Sequence, residues 1–191
     1  MNGDAGYRAG LFGQALSLNG ARGSNAVAQA NNTAFDFGLD DFTVRLWVRF
    51  NTITSGREET LIEKFSLGAG PGWTFTIQNG NNLQFYSPIV AFNSGPRPIP
   101  NGIWQQFIVT RKGSTFGIYW DGLLVANATS LASLPPSPNP LLIGARNSGD
   151  GRNFTVDGLI DEVAIWNRAL SLAEIAQDWN GGYGIQLSSR K

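Results

Sequence analysis

The sequence predicts an all-β sandwich of about a dozen strands followed by one short helix. Apolar and polar residues alternate from Phe42 to Phe50, as they do in a strand with one buried face. The dipeptides Asn79-Gly80 and Asp121-Gly122 are typical of tight hairpin turns. The 191 residues include 24 glycines and 12% aromatic residues, a composition that favours strands joined by tight turns.

The first half of the chain carries strand signals at short intervals. Residues 1–13 are glycine-rich and weakly patterned, and outer strands are predicted at 15–18 and near Val27. The strand at 42–50 presents an apolar face made of Phe42, Val44, Leu46, Val48 and Phe50. Further strands are predicted at 60–65, 73–78 and 83–86, and the last two form a hairpin around Asn79-Gly80.

The second half begins with a proline-rich segment at 87–102, which cannot be a central strand because its prolines lack backbone N–H donors. Strands predicted at 103–110, 115–120 and 123–128 form an antiparallel meander, with Asp121-Gly122 at its second turn. A short strand follows at 141–143. These spacings are typical of a sandwich and differ from those of repeated strand–helix–strand units.

The stretch from Gly158 to Trp179 joins a strand to the predicted helix. Ser171 and Glu174 have the spacing of a capping box, and Asn180-Gly181-Gly182 ends the helix. With a period of two, Asp161 shares one face of the strand with three apolar residues, Leu159, Val163 and Ile165. A carboxylate in an apolar row needs a partner, either backbone N–H groups or an arginine such as Arg168.

Several classes of function are excluded by composition. The chain has no Cys and no His, which excludes disulfides, zinc held by thiolate or imidazole, and nucleophiles activated by histidine. Its 14 basic and 14 acidic residues balance, which argues against nucleic acid or anionic membrane as a partner. Membrane insertion is not expected, because no apolar run approaches about 18 residues. No signal peptide is recognised, and an excised module is expected.

An ordered set of motifs resembles the LamG-like jelly-roll domain of the concanavalin A-like lectin/glucanase superfamily. The motifs are GLFGQALSLNG, FTVRLWVRF, LIEKF, GWTFTI, NGIWQQFIVTRKG, FGIYWDGLLV, LLIGA and GLIDEVAIWNRALSLAEI. The resemblance covers residues 11–180 and implies one domain over 1–191, with two antiparallel sheets in a jelly-roll β-sandwich. Gln105-Gln106 departs from the family's frequent His pair, and Trp120 replaces a small β-branched residue.

The resemblance also implies a structural calcium ion. Asp161 matches the acid of the family's IDE motif, and Asn19 is expected to contribute a second oxygen. Calcium would neutralise an inward carboxylate with hard oxygen ligands. The alternatives of backbone N–H donors or Arg168 stay open at this point.

Ligand-binding candidates are aromatic residues that could stack on the apolar face of a sugar, together with one polar loop. They are Trp73, Tyr86, Phe92 and Trp120, with Arg146 and Asn147 from the loop. The other tryptophans are expected to pack in the core.

We therefore expect a non-catalytic, monomeric binding module of a larger extracellular or cell-surface protein, with a glycan as its ligand. One alternative is a protein-binding adhesion or structural domain. A glycoside hydrolase or lyase is less favoured, because the adjacent acid pairs of the chain point to opposite faces of a strand and cannot act together there.

Overall fold

The chain folds as a jelly-roll β-sandwich of two antiparallel sheets with one short helix after the last strand, as the sequence predicts. The structure is a computed structural model that describes residues 5–21, 26–29, 32–53, 56–65, 70–146 and 154–186. Among these residues none of the helices is long and apolar enough to cross a bilayer.

The strands are numbered in chain order. They are β1 (Gly6–Ala9), β2 (Gln14–Asn19), β3 (Ala26–Gln29), β4 (Phe42–Thr52), β5 (Glu59–Phe65), β6 (Gly72–Gln78), β7 (Asn82–Ser87), β8 (Val90–Asn93), β9 (Trp104–Lys112), β10 (Thr115–Trp120), β11 (Leu123–Thr129), β12 (Leu141–Ile143) and β13 (Asp157–Trp166). The helix α1 spans Leu172–Trp179, and single 3₁₀ turns lie at Thr33–Phe35 and Asn180–Gly182. Sequence patterning missed β1 and β8.

One sheet has seven strands in the order β1-β2-β13-β4-β9-β10-β11, and the other has six in the order β3-β12-β5-β6-β7-β8. The predicted meander is confirmed as β9-β10-β11 and the predicted hairpin as β6-β7. Asn79 and Gly80 have φ of 54° and 74° in that hairpin, which explains the choice of these residue types. The strand β8 inside the proline-rich segment lies at an edge, where prolines are tolerated.

The main core lies between the two sheets and is rich in aromatic residues. The ring of Phe85 lies 6.1 Å from that of Phe42, 6.4 Å from that of Trp73 and 5.9 Å from that of Phe116. The predicted apolar face of β4 is fully buried in this core. Dense packing of large side chains is the main source of stability in such a sandwich.

The helix α1 lies on the outer face of the seven-stranded sheet. Its predicted capping box is confirmed, because Ser171 Oγ accepts from the Glu174 N–H at 3.3 Å and Glu174 accepts from the Ser171 N–H at 2.8 Å. Asn180 ends the helix with φ of 47°. Ile175 and Leu170 pack against Ile108 of β9 in a second apolar cluster. This part of the sheet is thereby covered on both faces.

The prediction that Asp161 shares a face with Val163 and Ile165 is wrong, although it does share one with Leu159. The register between β13 and β4 shifts after Asp161, and Glu162 has φ of 50°, so a bulge breaks the period of two. Val163 and Ile165, beyond the bulge, pack against the main core. Asp161 instead lies opposite Trp47, on the outer face.

Candidate functional site

The outer face of the six-stranded sheet carries polar side chains on adjacent strands. Because Phe75 of β6 and Phe85 of β7 are buried in the core, their neighbours along each strand point outward. The register pairs Thr74 with Tyr86, and Gln84 lies two residues before Tyr86 on the same face. The hairpin therefore places an aromatic ring and an amide side by side.

A cavity of about 360 Å³ lies on this face, and we call it the sheet-face cavity. It is lined by Glu58, Phe65, Thr74, Gln78, Gln84, Tyr86 and Arg146. The rings of Phe65 and Tyr86 lie 5.5 Å apart at 84°, edge to face. This arrangement combines aromatic carbon with polar atoms, which is typical of small-ligand sites.

Arg146 lies almost fully buried at this cavity, 6% exposed. Its Nε donates to Glu63 at 3.0 Å, its Nη1 to Glu58 at 2.8 Å and its Nη2 to Thr74 at 3.2 Å. Burial acts to lower the pKa of Arg146, but the neighbouring Glu63 and Glu58 outweigh it and raise the pKa above its usual value. The guanidinium is a fixed cation held by two carboxylates.

Three uncharged polar side chains complete the cavity wall. Gln78 Nε2 lies 3.4 Å from Thr76 Oγ1, at the long end of hydrogen-bond distance. Within the described ranges, neither the Gln84 amide nor the Tyr86 hydroxyl has a protein hydrogen-bond partner. These groups can therefore donate to and accept from a bound molecule.

Of the residues predicted to bind a ligand, the structure brings Tyr86 and Arg146 together at the sheet-face cavity. Trp73 is 1% exposed and Trp120 is 4% exposed, so their rings belong to the core. Phe92 lies on β8, 6.1 Å from the ring of Phe85 and packed against the core. The rings of Trp73 and Trp120 are thus withheld from a ligand, whereas that of Phe92 is partly buried. Asn147 lies outside the described residues.

Sequence reasoning missed five residues of the cavity, Glu58, Phe65, Thr74, Gln78 and Gln84. A signal was present for Gln84, because it alternates with Leu83 and Phe85 and shares the face of Tyr86. Glu58 precedes β5, and its approach to Arg146 joins residues 88 positions apart. No local pattern indicates such a contact.

Asp161 is held by backbone donors. Its Oδ2 accepts from the N–H groups of Leu11 at 2.8 Å and Phe12 at 3.1 Å, and its Oδ1 from that of Glu162 at 2.8 Å. These are the backbone donors that the sequence offered as one alternative. The other alternative is wrong, because Arg168 pairs with Glu174 at 2.7 Å.

The groups that contact the Asp161 carboxylate are backbone N–H groups. They do not fit calcium, which needs several oxygen ligands. Asn19 lies opposite Asp157, four positions along β13 from Asp161, which separates them by roughly 13 Å in a strand. One ion cannot bind both side chains. Across the described ranges, no three acidic side chains cluster as a metal site. Calcium binding stays a prediction, and the observed contacts favour the hydrogen-bonded alternative.

A second cavity, of about 470 Å³, lies beside the start of α1 on the seven-stranded sheet, and we call it the helix-side cavity. Tyr119, Leu124, Leu170 and Leu172 contribute apolar surface to it. Leu124 and Leu172 are 51% and 68% exposed. Its character is more apolar than that of the sheet-face cavity.

Two carboxylates at the sheet-face cavity, Glu58 and Glu63, lie close to one another. Both contact the guanidinium of Arg146, one at Nη1 and the other at Nε. Acid–base hydrolysis of a glycoside needs one carboxyl group to donate a proton and the other to act as base or nucleophile. Here the same cation engages both groups, which does not favour that chemistry.

Comparison with known families gives a match over most of the chain. A family model of the laminin G type, described as the concanavalin A-like lectin/glucanases superfamily, matches residues 22–176. No curated protein sequence gives a significant match.

Solved structures with the same fold include three binding domains. The binding domain of Paraclostridial Mosquitocidal Protein 1 superposes with a TM-score of 0.74 at 18% identity, over 95% of this chain and 46% of that one. The chain thus spans about half of that structure. Domain 4 of AbnA, a GH43 extracellular arabinanase from Geobacillus stearothermophilus, in complex with arabinotriose, gives 0.64 at 21% identity, over 92% and 81%. The Ruminococcus gnavus IT-sialidase CBM40 bound to alpha2,3 sialyllactose gives 0.69 at 10% identity, over 85% and 95%. At these identities the likeness establishes the fold.

Proposed function

Since the chain belongs to the concanavalin A-like lectin/glucanase superfamily, we propose that it is a non-catalytic carbohydrate-binding module that binds glycans at the sheet-face cavity. The observation that carries the proposal is the pairing of the Tyr86 ring with the free Gln84 amide on one sheet face. A sugar ring offers an apolar face for stacking and hydroxyls for hydrogen bonding.

Roles follow from the positions of the side chains. Tyr86 supplies the aromatic surface, and Phe65 packs edge to face against it and supports its orientation. Gln84 and Gln78 supply amide groups that can bind neighbouring hydroxyls. Arg146 holds the floor of the cavity through Glu58, Glu63 and Thr74.

Two domains with this fold were solved with oligosaccharides bound, which supports a glycan ligand for this chain. One of them belongs to an extracellular enzyme, so we also propose an extracellular or cell-surface setting. We further propose that this single domain acts as a monomeric module of a larger protein; domain 4 of AbnA, being one domain of a larger enzyme, supports the latter part.

Glycan binding is tested by isothermal titration calorimetry against the ligands found in a glycan array. We expect Tyr86→Ala to weaken binding by about tenfold or more, since a stacked ring contributes about 1.5 kcal/mol. Tyr183→Ala is the matched control, because Tyr183 is 79% exposed and remote from the cavity lining. Equal losses in both variants, or no binding to any glycan, would reject the proposal.

A protein ligand is the alternative, and the exposed leucines of the helix-side cavity favour it. The test is capture of a protein by the immobilised chain. Protein binding would replace glycan binding as the proposed function if the captured protein still bound the Tyr86→Ala variant and no longer bound the Leu124→Asp variant.

A further inference from the structure

We propose that the sheet-face cavity selects uncharged glycans and discriminates against anionic ones. The inference rests on the proposed glycan binding and names the ligand class of that site. It follows from the contacts that the charged side chains of the cavity already make with one another.

The carboxylate of Glu58 lines the cavity beside an arginine that is already paired. Arg146 is the one lining cation of the cavity among the described residues, while the carboxylates of Glu58 and Glu63 both contact that guanidinium. A ligand that brings a carboxylate or a sulfate adds like charge to a partly buried site, where screening by salt is weak.

Arg146 cannot clamp an anion in its present position. Recognition of a carboxylate by arginine usually needs two parallel N–H groups. Here contacts to Glu63, Glu58 and Thr74 engage all three nitrogens of Arg146. The rings of Phe65 and Phe154 lie 5.8 Å and 5.3 Å from the guanidinium carbon. An anionic sugar would have to displace Glu58 to reach the cation.

Within the part of the chain that the structure describes, the nearby cations Lys64 and Arg57 are engaged elsewhere. Lys64 Nζ lies 2.5 Å from Asp36 and 2.6 Å from the carbonyl of Ser137. The Arg57 guanidinium donates to the carbonyls of Gly20 and Thr155. Neither side chain lines the cavity.

The groups that remain available are neutral. The Gln84 amide and the Tyr86 hydroxyl each donate and accept, as the hydroxyl groups of a sugar do. An uncharged glycan can satisfy them without breaking an ion pair.

The test compares neutral oligosaccharides with derivatives that carry one added acid. The probes are lactose against α2,3-sialyllactose and xylotriose against its glucuronosyl derivative, titrated into the full chain. We expect each neutral probe that binds to bind about tenfold more tightly than its acidic partner, from one like-charge contact. Raising the salt concentration should reduce the difference in affinity between the neutral and the acidic probe, because salt screens the like charges.

A variant at Glu58 tests whether its negative charge causes the preference. Glu58→Gln keeps the shape of the side chain and removes one negative charge, so the preference for neutral probes should fall several-fold. If Glu58→Gln does not fold, the comparison of probes and salt concentrations on the unmodified chain still decides the question.

The outcomes separate the two proposals. An acidic probe that binds as tightly as its neutral partner, and is lost in Tyr86→Ala, overturns the charge preference and leaves glycan binding at this cavity intact. Absence of binding by neutral and acidic probes, extended to the whole glycan array, overturns both. A neutral preference that persists unchanged in Glu58→Gln rejects the charge explanation.

Discussion

The indole ring of Trp47 stacks on that of Trp179, with ring centroids 5.2 Å apart and planes 12° from parallel. Trp47 lies on β4, the central strand of the seven-stranded sheet, and Trp179 is the last residue of α1. A Cβ at Gly122 would lie 3.0 Å from Trp179, so the turn between β10 and β11 also fits against this ring. The stacked pair fixes the helix on the sheet.

Replacing Trp179 by alanine should therefore lower the free energy of unfolding by about 2 kcal/mol, less than for a fully buried tryptophan, because Trp179 is half-buried. The loss arises from the vacated contact with Trp47. Urea denaturation followed by fluorescence measures it. Tyr183→Ala, at a residue that is 79% exposed, should change stability by no more than about 0.5 kcal/mol. Equal effects of the two changes would contradict the assigned role.

Gly72→Ala should destabilise the protein by about 3 kcal/mol or more. Gly72 has φ of 106°, and an added Cβ would collide with the backbone carbonyl of Lys64, which cannot move without breaking the sheet. Gly113→Ala is the control, because Gly113 has φ of 57° with open space around it and should cost only about 1 kcal/mol. Thermal unfolding of both variants tests whether Gly72→Ala loses more stability than Gly113→Ala.

The Glu174 carboxylate should titrate at unusually low pH. Its hydrogen bond from Arg168, and those within the Ser171 cap, lower the pKa of Glu174 to about 2. Because this pKa is lower in the folded chain than in the unfolded one, the stability contribution is complete above the unfolded pKa of about 4.3. It is lost as the pH falls toward about 2. Titration by carbon-detected NMR measures the midpoint, and Arg168→Ala should raise it.

Asp161→Asn should lower the free energy of unfolding by about 2 kcal/mol, because a charged acceptor of backbone N–H groups is lost. Asp157→Asn on the same strand is the control, since Asp157 makes an exposed contact with Asn51. We expect a chelator to leave the melting temperature unchanged. A melting temperature that falls in chelator and recovers with calcium would instead support the metal expected from the family.

The sandwich could be predicted because its signals are local. Alternation in β4, the Asn79-Gly80 turn and the capping box at Ser171 each need only a few consecutive residues. The face of Asp161 could not be predicted, because the bulge at Glu162 depends on pairing with β4, over 100 residues away.

The candidate site was predicted only in part for a similar reason. Tyr86 is one of the four aromatic candidates that the sequence offers, and its face follows from the alternation in β7. Trp73 and Trp120 carry the same chemistry in sequence, yet they pack in the core. Aromatic type does not reveal which side of a sheet a ring occupies. The Glu58–Arg146 contact forms only when β5 and β12 come together.

The last strand to be synthesised occupies an inner position of its sheet. β13 lies between β2 and β4, so a ribosome-bound chain that ends before residue 157 leaves two strand edges without partners. The contact between Asp161 and Leu11 closes a separation of 150 residues at the same time. We expect folding to be slow, because β13 has to enter between two strands that come much earlier in the chain.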